Sequence, residues 1–156
     1  MLIRRFRQED AQAVSDLVIR TIRITNIKDY SPEDMEALAA HMQPQDILQR
    51  ASWTHFYVVC EDGGAIIGCG AIGPFWGRED ESSLFSIFVD PDHQGQGIGR
   101  ALIQALEQDD YALRAKRIEI PASITAVGFY RKLGYDLKPG CGAPDEEGLY
   151  RLEKYR

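Results

Sequence analysis

The sequence has no long apolar run, few cysteines and no excess of positive charge. No stretch approaches the roughly 20 consecutive apolar residues that a helix needs to cross a bilayer, which argues against a membrane-spanning chain. Met1-Leu2-Ile3-Arg4-Arg5-Phe6-Arg7 has basic residues but neither an apolar stretch nor a small-residue cleavage site behind them. It is therefore expected not to be a signal peptide, and the chain is expected in the cytoplasm. The 3 cysteines, Cys60, Cys69 and Cys141, match neither a disulfide framework nor a zinc pattern. Cys60 and Cys69 read as buried thiols, and no metal is expected. Lysine and arginine total 18 against 24 acids, a net charge of −6. That sign supplies no summed field to gather nucleic acid or an anionic membrane, so an anionic ligand has to be held by local geometry. Low-complexity tracts, repeats and linkers are absent too. With 156 residues, 44% of them apolar, the chain is expected to form one domain over residues 1–156.

What is present is a mixed pattern of periods. Residues 2–7 alternate as a first strand, and Val14, Leu17, Val18, Thr21 and Ile22 fall on one face of a helix. Ser31-Pro32-Glu33-Asp34 has the cap, the proline and the acids of a helix start, and Gln43-Pro44-Gln45-Asp46 opens a short helical stretch to residue 48. The β-formers of 55–60 end at the turn Glu61-Asp62-Gly63-Gly64, and 65–72 resumes as a glycine-containing strand closing at Gly73-Pro74. The apolar run 84–89 reads as a central strand covered on both faces. A helix from Ile98, a strand at 117–121, a helix at 124–133 and strands at 135–137 and 149–155 complete an α/β layer arrangement.

The informative stretch is Val89-Asp90-Pro91-Asp92-His93-Gln94-Gly95-Gln96-Gly97-Ile98-Gly99-Arg100. A strand runs into a glycine-rich turn that opens directly into an amphipathic helix. The first amides of a helix lack internal acceptors and carry the positive end of its dipole, and glycines let the backbone come close to a ligand. Together they make an anion site suited to a pyrophosphate, with Arg100 nearby. A Walker A loop is excluded, because Gly99-Arg100-Ala101 does not supply Gly-Lys-Ser/Thr. Gly68-Cys69-Gly70-Ala71-Ile72-Gly73 spells a dinucleotide fingerprint but lies in a strand pattern and opens no helix. Its small residues are expected to permit close packing or a bulge.

Gln94-x-x-Gly97-x-Gly99 resembles the acyl-CoA loop of the GNAT superfamily of N-acetyltransferases. Ser123-x-x-Ala126-x-x-Phe129-Tyr130-x-x-x-Gly134-Tyr135 resembles the later motif of the same family, in which a helix carries a tyrosine and ends at a glycine before a strand. With the strand–helix–helix–strand order ahead of them, the resemblance covers essentially the whole chain. It implies an α/β (α+β) fold with a mixed, mostly antiparallel sheet of six to seven strands, about four flanking helices, and central strands splayed at the cofactor site. It also implies acetyl-CoA as co-substrate and direct transfer to a primary amine of a small molecule or peptide. By position, Phe88 and Val89 would pair with the pantetheine arm through backbone groups. Gln94, Gly95, Gln96, Gly97, Ile98, Gly99 and Arg100 would surround the pyrophosphate. Tyr130 would aim its hydroxyl at the cofactor sulfur, where the departing thiolate needs a proton. Read without its motif, Tyr130 is a helix tyrosine packed on the core.

Two departures stand out. Many relatives have asparagine where this chain has Ser123, whose single hydroxyl offers less to a pantetheine arm. Several relatives place a carboxylate near the start of the strand before the loop, where this chain has Ser82 and Ser83. Glu81 shares strand parity with Ser83 and is the candidate base, its other reading being a solvated acidic turn. His55 is a further candidate, while His93 reads as loop surface and His41 as a helix-face residue. The acceptor pocket the family implies draws on the segment 24–30, Asn26 and Tyr30 above all, and on Trp53, Phe75 and Trp76, and the acidic charge points to a cationic amine. Homodimerisation is implied by the family alone. A different class also fits the loop: an acyl-CoA-binding sensor or interaction module that has lost transfer.

Overall fold

The computed structural model describes residues 1–156. A seven-stranded sheet in the order β1-β2-β3-β4-β5-β7-β6 carries helices on both faces. β1 is Leu2–Arg5, and three helices follow: α1 Ala11–Ile24, α2 Pro32–Ala40 and α3 Pro44–Trp53. Then come β2 His55–Cys60, β3 Ile66–Phe75 and β4 Arg78–Val89. The second half comprises α4 Ile98–Leu106, α5 Asp110–Leu113, β5 Arg117–Ala122, α6 Val127–Lys132, β6 Asp136–Leu137 and β7 Tyr150–Tyr155. Every neighbouring pair is antiparallel except β4 and β5.

The local reasons are those the sequence suggested. Val14, Leu17, Val18, Thr21 and Ile22 form the buried stripe of α1. The Ser31 hydroxyl accepts the Asp34 amide at 3.1 Å, and Pro32 occupies the first turn, so α2 starts where its cap says. Six α-helices are present rather than about four. α3 runs on to Trp53, and the short α5 is nucleated by Asp109, whose carboxylate accepts the Tyr111 amide at 2.9 Å.

β4 begins at Arg78, well before its apolar half. Its polar start is held by charge. Arg117 of β5, 8% exposed, reaches Glu81 at 2.6 Å, Glu119 at 2.9 Å and Glu153 of β7 at 3.0 Å. A pattern read for apolar alternation misses a strand whose buried side chains are ionic.

Two cores lie on opposite faces of the sheet. Leu102, Ile103 and Leu106 of α4 pack with Ile118, Ile120 and Leu152 on one face. Val14, Val18 and Ile22 of α1 and Ile47 of α3 pack with Phe56, Val58 and Cys69 on the other. Gly70 is needed where β3 meets α4, since a Cβ there would lie 2.7 Å from Ile87 Cδ1. The Gly68–Gly73 repeat is thus a packed strand, as expected. Cys60 and Cys69 are buried thiols, and Cys141 is partly exposed. No helix is long and apolar enough to cross a membrane.

Candidate active site

The site begins with a break in the sheet. β4 and β5 pair only at Glu81↔Arg117, Ser82↔Ile118 and Ser83↔Glu119. Beyond Ser83 they part, which is the splay the resemblance implied. Two features oppose further pairing. Pro121 has no amide hydrogen to donate. In β4, one more residue is used between Phe85 and Phe88 than β3 uses between Ala71 and Cys69, and Ser86 takes a φ of 55° in that bulge. A sulfur contact of 3.4 Å from Cys69 Sγ to the Ser86 carbonyl steadies the bend.

The gap opens into a cavity of about 550 Å³. Ile87, Phe88 and Val89 line one wall, and the start of α4 the next. Ser123 and α6 supply a third wall, and Thr21, Thr25, Asn26 and Asp29, at and beyond the end of α1, close it. The glycine loop is fastened from below. Arg20 of α1 reaches Asp90 at 2.6 Å and Asp92 at 2.9 Å, and the Asp90 carboxylate accepts the Asp92 amide at 2.8 Å. Burial works against ionised Asp90, but these hydrogen bonds prevail and hold it below the usual carboxylate range. The Gln94 side chain turns inward, donating to the Val89 carbonyl at 3.1 Å and to Thr25 Oγ1 at 3.2 Å. It stiffens the turn that presents the amides.

At the tip, Gly95 and Gly97 have φ of 78° and 81°, and nothing stands within 4 Å of where their Cβ atoms would be. Left-handed backbone and an open approach are what a closely bound polyanion requires of a loop. Gly97 is the N-cap of α4 and offers no side chain to cover the first amides, which remain for a ligand. Gly99 is constrained from behind, because a Cβ there would meet the Phe129 ring at 3.2 Å. The residues present therefore fit a pyrophosphate at α4 and an extended arm along β4.

Tyr130 stands on α6 with 5% of its surface exposed, edge-to-face with Phe129 (centroids 5.0 Å apart) and Tyr135 (6.2 Å). It lines the cavity, and its hydroxyl, which is open to that space, has no hydrogen-bond partner in the chain. Burial pushes its pKa well above the ordinary tyrosine value, so the group stays protonated. A neutral, unpartnered O–H beside an electron-rich ligand atom is equipped to donate a proton.

The cavity brings together Phe88, Val89, Gln94, Gly95, Gly97, Ile98, Gly99, Arg100, Ser123, Tyr130 and Asn26 from the expected set. Gln96 is exposed on the loop and does not line it. Glu81 lies away from it, held by Arg117 and by Arg78 at 3.4 Å. Its parity placed it on the ion-paired half of β4. Tyr30 is also outside, donating its hydroxyl to the Gly148 carbonyl at 2.9 Å. Trp53 packs edge-on against Phe85, with centroids 5.1 Å apart. The Arg117 guanidinium lies 4.8 Å from the centre of the Phe75 ring, and Trp76 is 85% exposed at the turn between β3 and β4. His55 is paired with Asp109 at 2.8 Å, whereas His93 does touch the cavity wall.

Thr21 and Thr125 were not anticipated, whereas Thr25 and Asp29 lie in the 24–30 connector on which the acceptor pocket was expected to draw. Asp29 and Thr125 are hydrogen-bonded across the mouth. They belong to a connector and a helix start with no shared pattern, so only the fold brings them together.

The chain matches the Acetyltransferase (GNAT) family over residues 19–135. It is 42% identical over 60 residues to a [ribosomal protein bS18]-alanine N-acetyltransferase of Escherichia coli K12. That stretch is 36% of this chain and 40% of the relative, so less than half of the relative's length is spanned. The PaiA N-acetyltransferase of Thermoplasma acidophilum, solved in complex with coenzyme A, superposes with a TM-score of 0.83 over 99% of this chain and 98% of that one, at 16% identity. A GCN5-related N-acetyltransferase structure from Rhodopseudomonas palustris superposes at 0.81 over 99% and 95%, with 25% identity. The split between β4 and β5, the glycine loop opening α4 and the extent of the match lead to one assignment: the chain belongs to the GNAT acetyltransferase family.

Proposed function

We propose that the protein is an acetyl-CoA-dependent N-acetyltransferase that acts on a primary amine by direct attack. The observation that carries this reading is Tyr130, a buried side chain whose hydroxyl is unpartnered in the chain and open to the same cavity as the bare amides of α4. Backbone groups at Gly95 to Arg100 hold the pyrophosphate, and the unpaired edge of β4 at Phe88 and Val89 accepts the pantetheine amides as a neighbouring strand would. Ser123 adds a hydroxyl beside that arm. The amine nitrogen forms a bond to the thioester carbonyl carbon as the carbon–sulfur bond breaks. Tyr130 gives its proton to the leaving sulfur, and the surplus amine proton passes through water to Asp29, the carboxylate among the lining residues. Homologues named for alanine and for spermidine transfer support an amine acceptor as a class. The reading includes a cytoplasmic enzyme and a homodimer, and light scattering on the purified chain is the test of the dimer.

Calorimetry with acetyl-CoA followed by a thiol-release screen over diverse amines tests the proposal. Binding with release for at least one amine class supports it. Binding without release for any class favours the sensor reading, to which the engagement of Glu81 by Arg117 lends support.

A further inference from the structure

Arginines that leave the surface carry carboxylates in this protein. Arg4 pairs with Asp10, Arg20 with Asp90 and Asp92, Arg117 with three glutamates and Arg151 with Asp145. Arg50, half-buried on α3, is the exception: Asp46, one turn earlier, acts on it only through space, and no carboxylate comes within ion-pairing distance. Its Nη1 donates to Ser86 Oγ at 2.6 Å and more weakly to Met42 Sδ at 3.5 Å. Nε and Nη2 find no acceptor in the chain, yet neither is sealed from solvent. These two nitrogens form the side-on edge of the guanidinium, the edge that grips a carboxylate with two parallel hydrogen bonds. A partly desolvated cation with that edge open is costly unless an anion completes it. Burial correspondingly pulls the Arg50 pKa below its ordinary value.

The location gives the cation a use. Ser86 is the positive-φ residue of the β4 bulge, next in the chain to Ile87 and Phe88 of the cavity wall. α3 packs with α1 on the face opposite α4, against the core that includes Phe85 and Phe88 at its edge. A cofactor entering from the start of α4 leaves that other face for the amine. Beside Arg50, and like it outside the lining of the cofactor cavity, Trp53 is 46% exposed over Phe85 and supplies an apolar wall on that face. In a chain of net charge −6, an acceptor bearing a carboxylate needs a local cation to come near.

We propose that Arg50, steadied by the Ser86 hydroxyl, is the receptor for a carboxylate on the acceptor. The substrate class is then an amino acid or another small amine carrying a carboxylate, and not a polyamine. This rests on the transferase reading and names the acceptor of that same site, reversing the cationic acceptor that net charge alone suggested.

The test is thiol release with acetyl-CoA for acceptor pairs that differ only at the carboxylate. Free amino acids are set against their carboxamides, with spermidine as the cationic comparison. The acid is expected to be favoured in kcat/KM by on the order of tenfold to a hundredfold, the effect of a lost charged hydrogen bond. Arg50→Gln is expected to level the pair while still binding acetyl-CoA, and Arg50→Lys to keep part of the preference. Equal use of acid and amide by the unaltered protein, a preference for spermidine, or an undiminished preference in Arg50→Gln overturns the proposal. Calorimetry of N-acetylamino acids against N-acetylamino amides, with coenzyme A present, needs neither turnover nor a variant. Tighter binding of the acids supports the receptor, and equal binding rejects it. Acetyl-CoA binding with no thiol release from any amine rejects the transferase reading instead, and the calorimetric comparison then decides the receptor by itself.

Discussion

The two halves of β4 are built for opposite purposes. At Ser82 and Ser83 the strand is paired on both sides, with Gly73 of β3 and Glu119 of β5 opposite Ser83. Its Glu81 is locked into the Arg117 ion network. From Leu84 onward β3 still holds one edge, but the edge toward β5 is open and faces the cavity. In the first half, the backbone donors and acceptors are used by the ladder. In the second, those on one side remain for a ligand that can act as a strand. An open edge keeps its shape only if its surroundings are firm, and the closed half with its buried charges supplies that firmness. The lesson is that binding capacity here comes from pairing that was interrupted at a defined residue.

That contrast can be broken at the open half first. Tyr130→Phe is expected to lower turnover by roughly 10²–10⁴-fold, the usual contribution of a positioned acid, while acetyl-CoA affinity barely changes. Unchanged turnover removes its proposed role. Burial raises the tyrosine pKa, so the acid form persists as pH rises and is lost only above the ordinary value of about 10. The kcat profile of the unaltered protein is accordingly expected to show no falling limb from this group between pH 7 and 10. A limb near pH 8 that vanishes in Tyr130→Phe contradicts the burial argument.

The closed half is tested by Arg117→Met, which removes the cation shared by Glu81, Glu119 and Glu153 and leaves Glu81 to Arg78 at the surface, Glu119 to Lys138, and Glu153 without a partner. A loss of about 3 kcal/mol of stability is expected, read from the denaturant midpoint. An unmoved midpoint means that the network does not anchor the strand. Next in size is Gly97→Asp, which forces a side chain onto a φ of 81° and puts negative charge at the start of α4. Acetyl-CoA affinity is expected to fall about tenfold or more, and Gly97→Ala, which adds the strain alone, to cost less. Equal affinities across the three proteins place the pyrophosphate elsewhere. The smallest effect belongs to Ser123→Ala, where one neutral hydrogen bond of about 1 kcal/mol is at stake and affinity falls a few-fold. No change would move the pantetheine arm away from that wall.

Legibility followed the range of the interactions. The loop from Gln94 to Arg100 was readable because its chemistry is local: glycines, a helix start and a preceding strand are contiguous in the chain. The capping of α2 and the buried stripe of α1 were readable for the same reason. Glu81 and Phe75 were assigned by neighbourhood in sequence, and both proved to serve the Arg117 cluster, whose members come from β4, β5 and β7. The short α5 went unseen because a single Asp109 cap carries its signal. Arg50 was passed over because nothing in a helical run of polar residues announces that one arginine loses its solvent without gaining a carboxylate.

By itself, the sequence determined most of the helices and strands, that a glycine-rich turn opens α4 with bare amides of a kind that suits an anion, and that a tyrosine follows on a later helix. Those properties depend on backbone preferences and side-chain periods acting over a few residues. Tertiary structure alone decided that β4 and β5 part after Ser83, that Tyr130 is a buried side chain with an unpartnered hydroxyl, and that Arg50 meets Ser86 in the β4 bulge. Burial, ion pairing and strand separation are properties of surfaces brought together from distant parts of the chain, and they do not exist until the chain has folded.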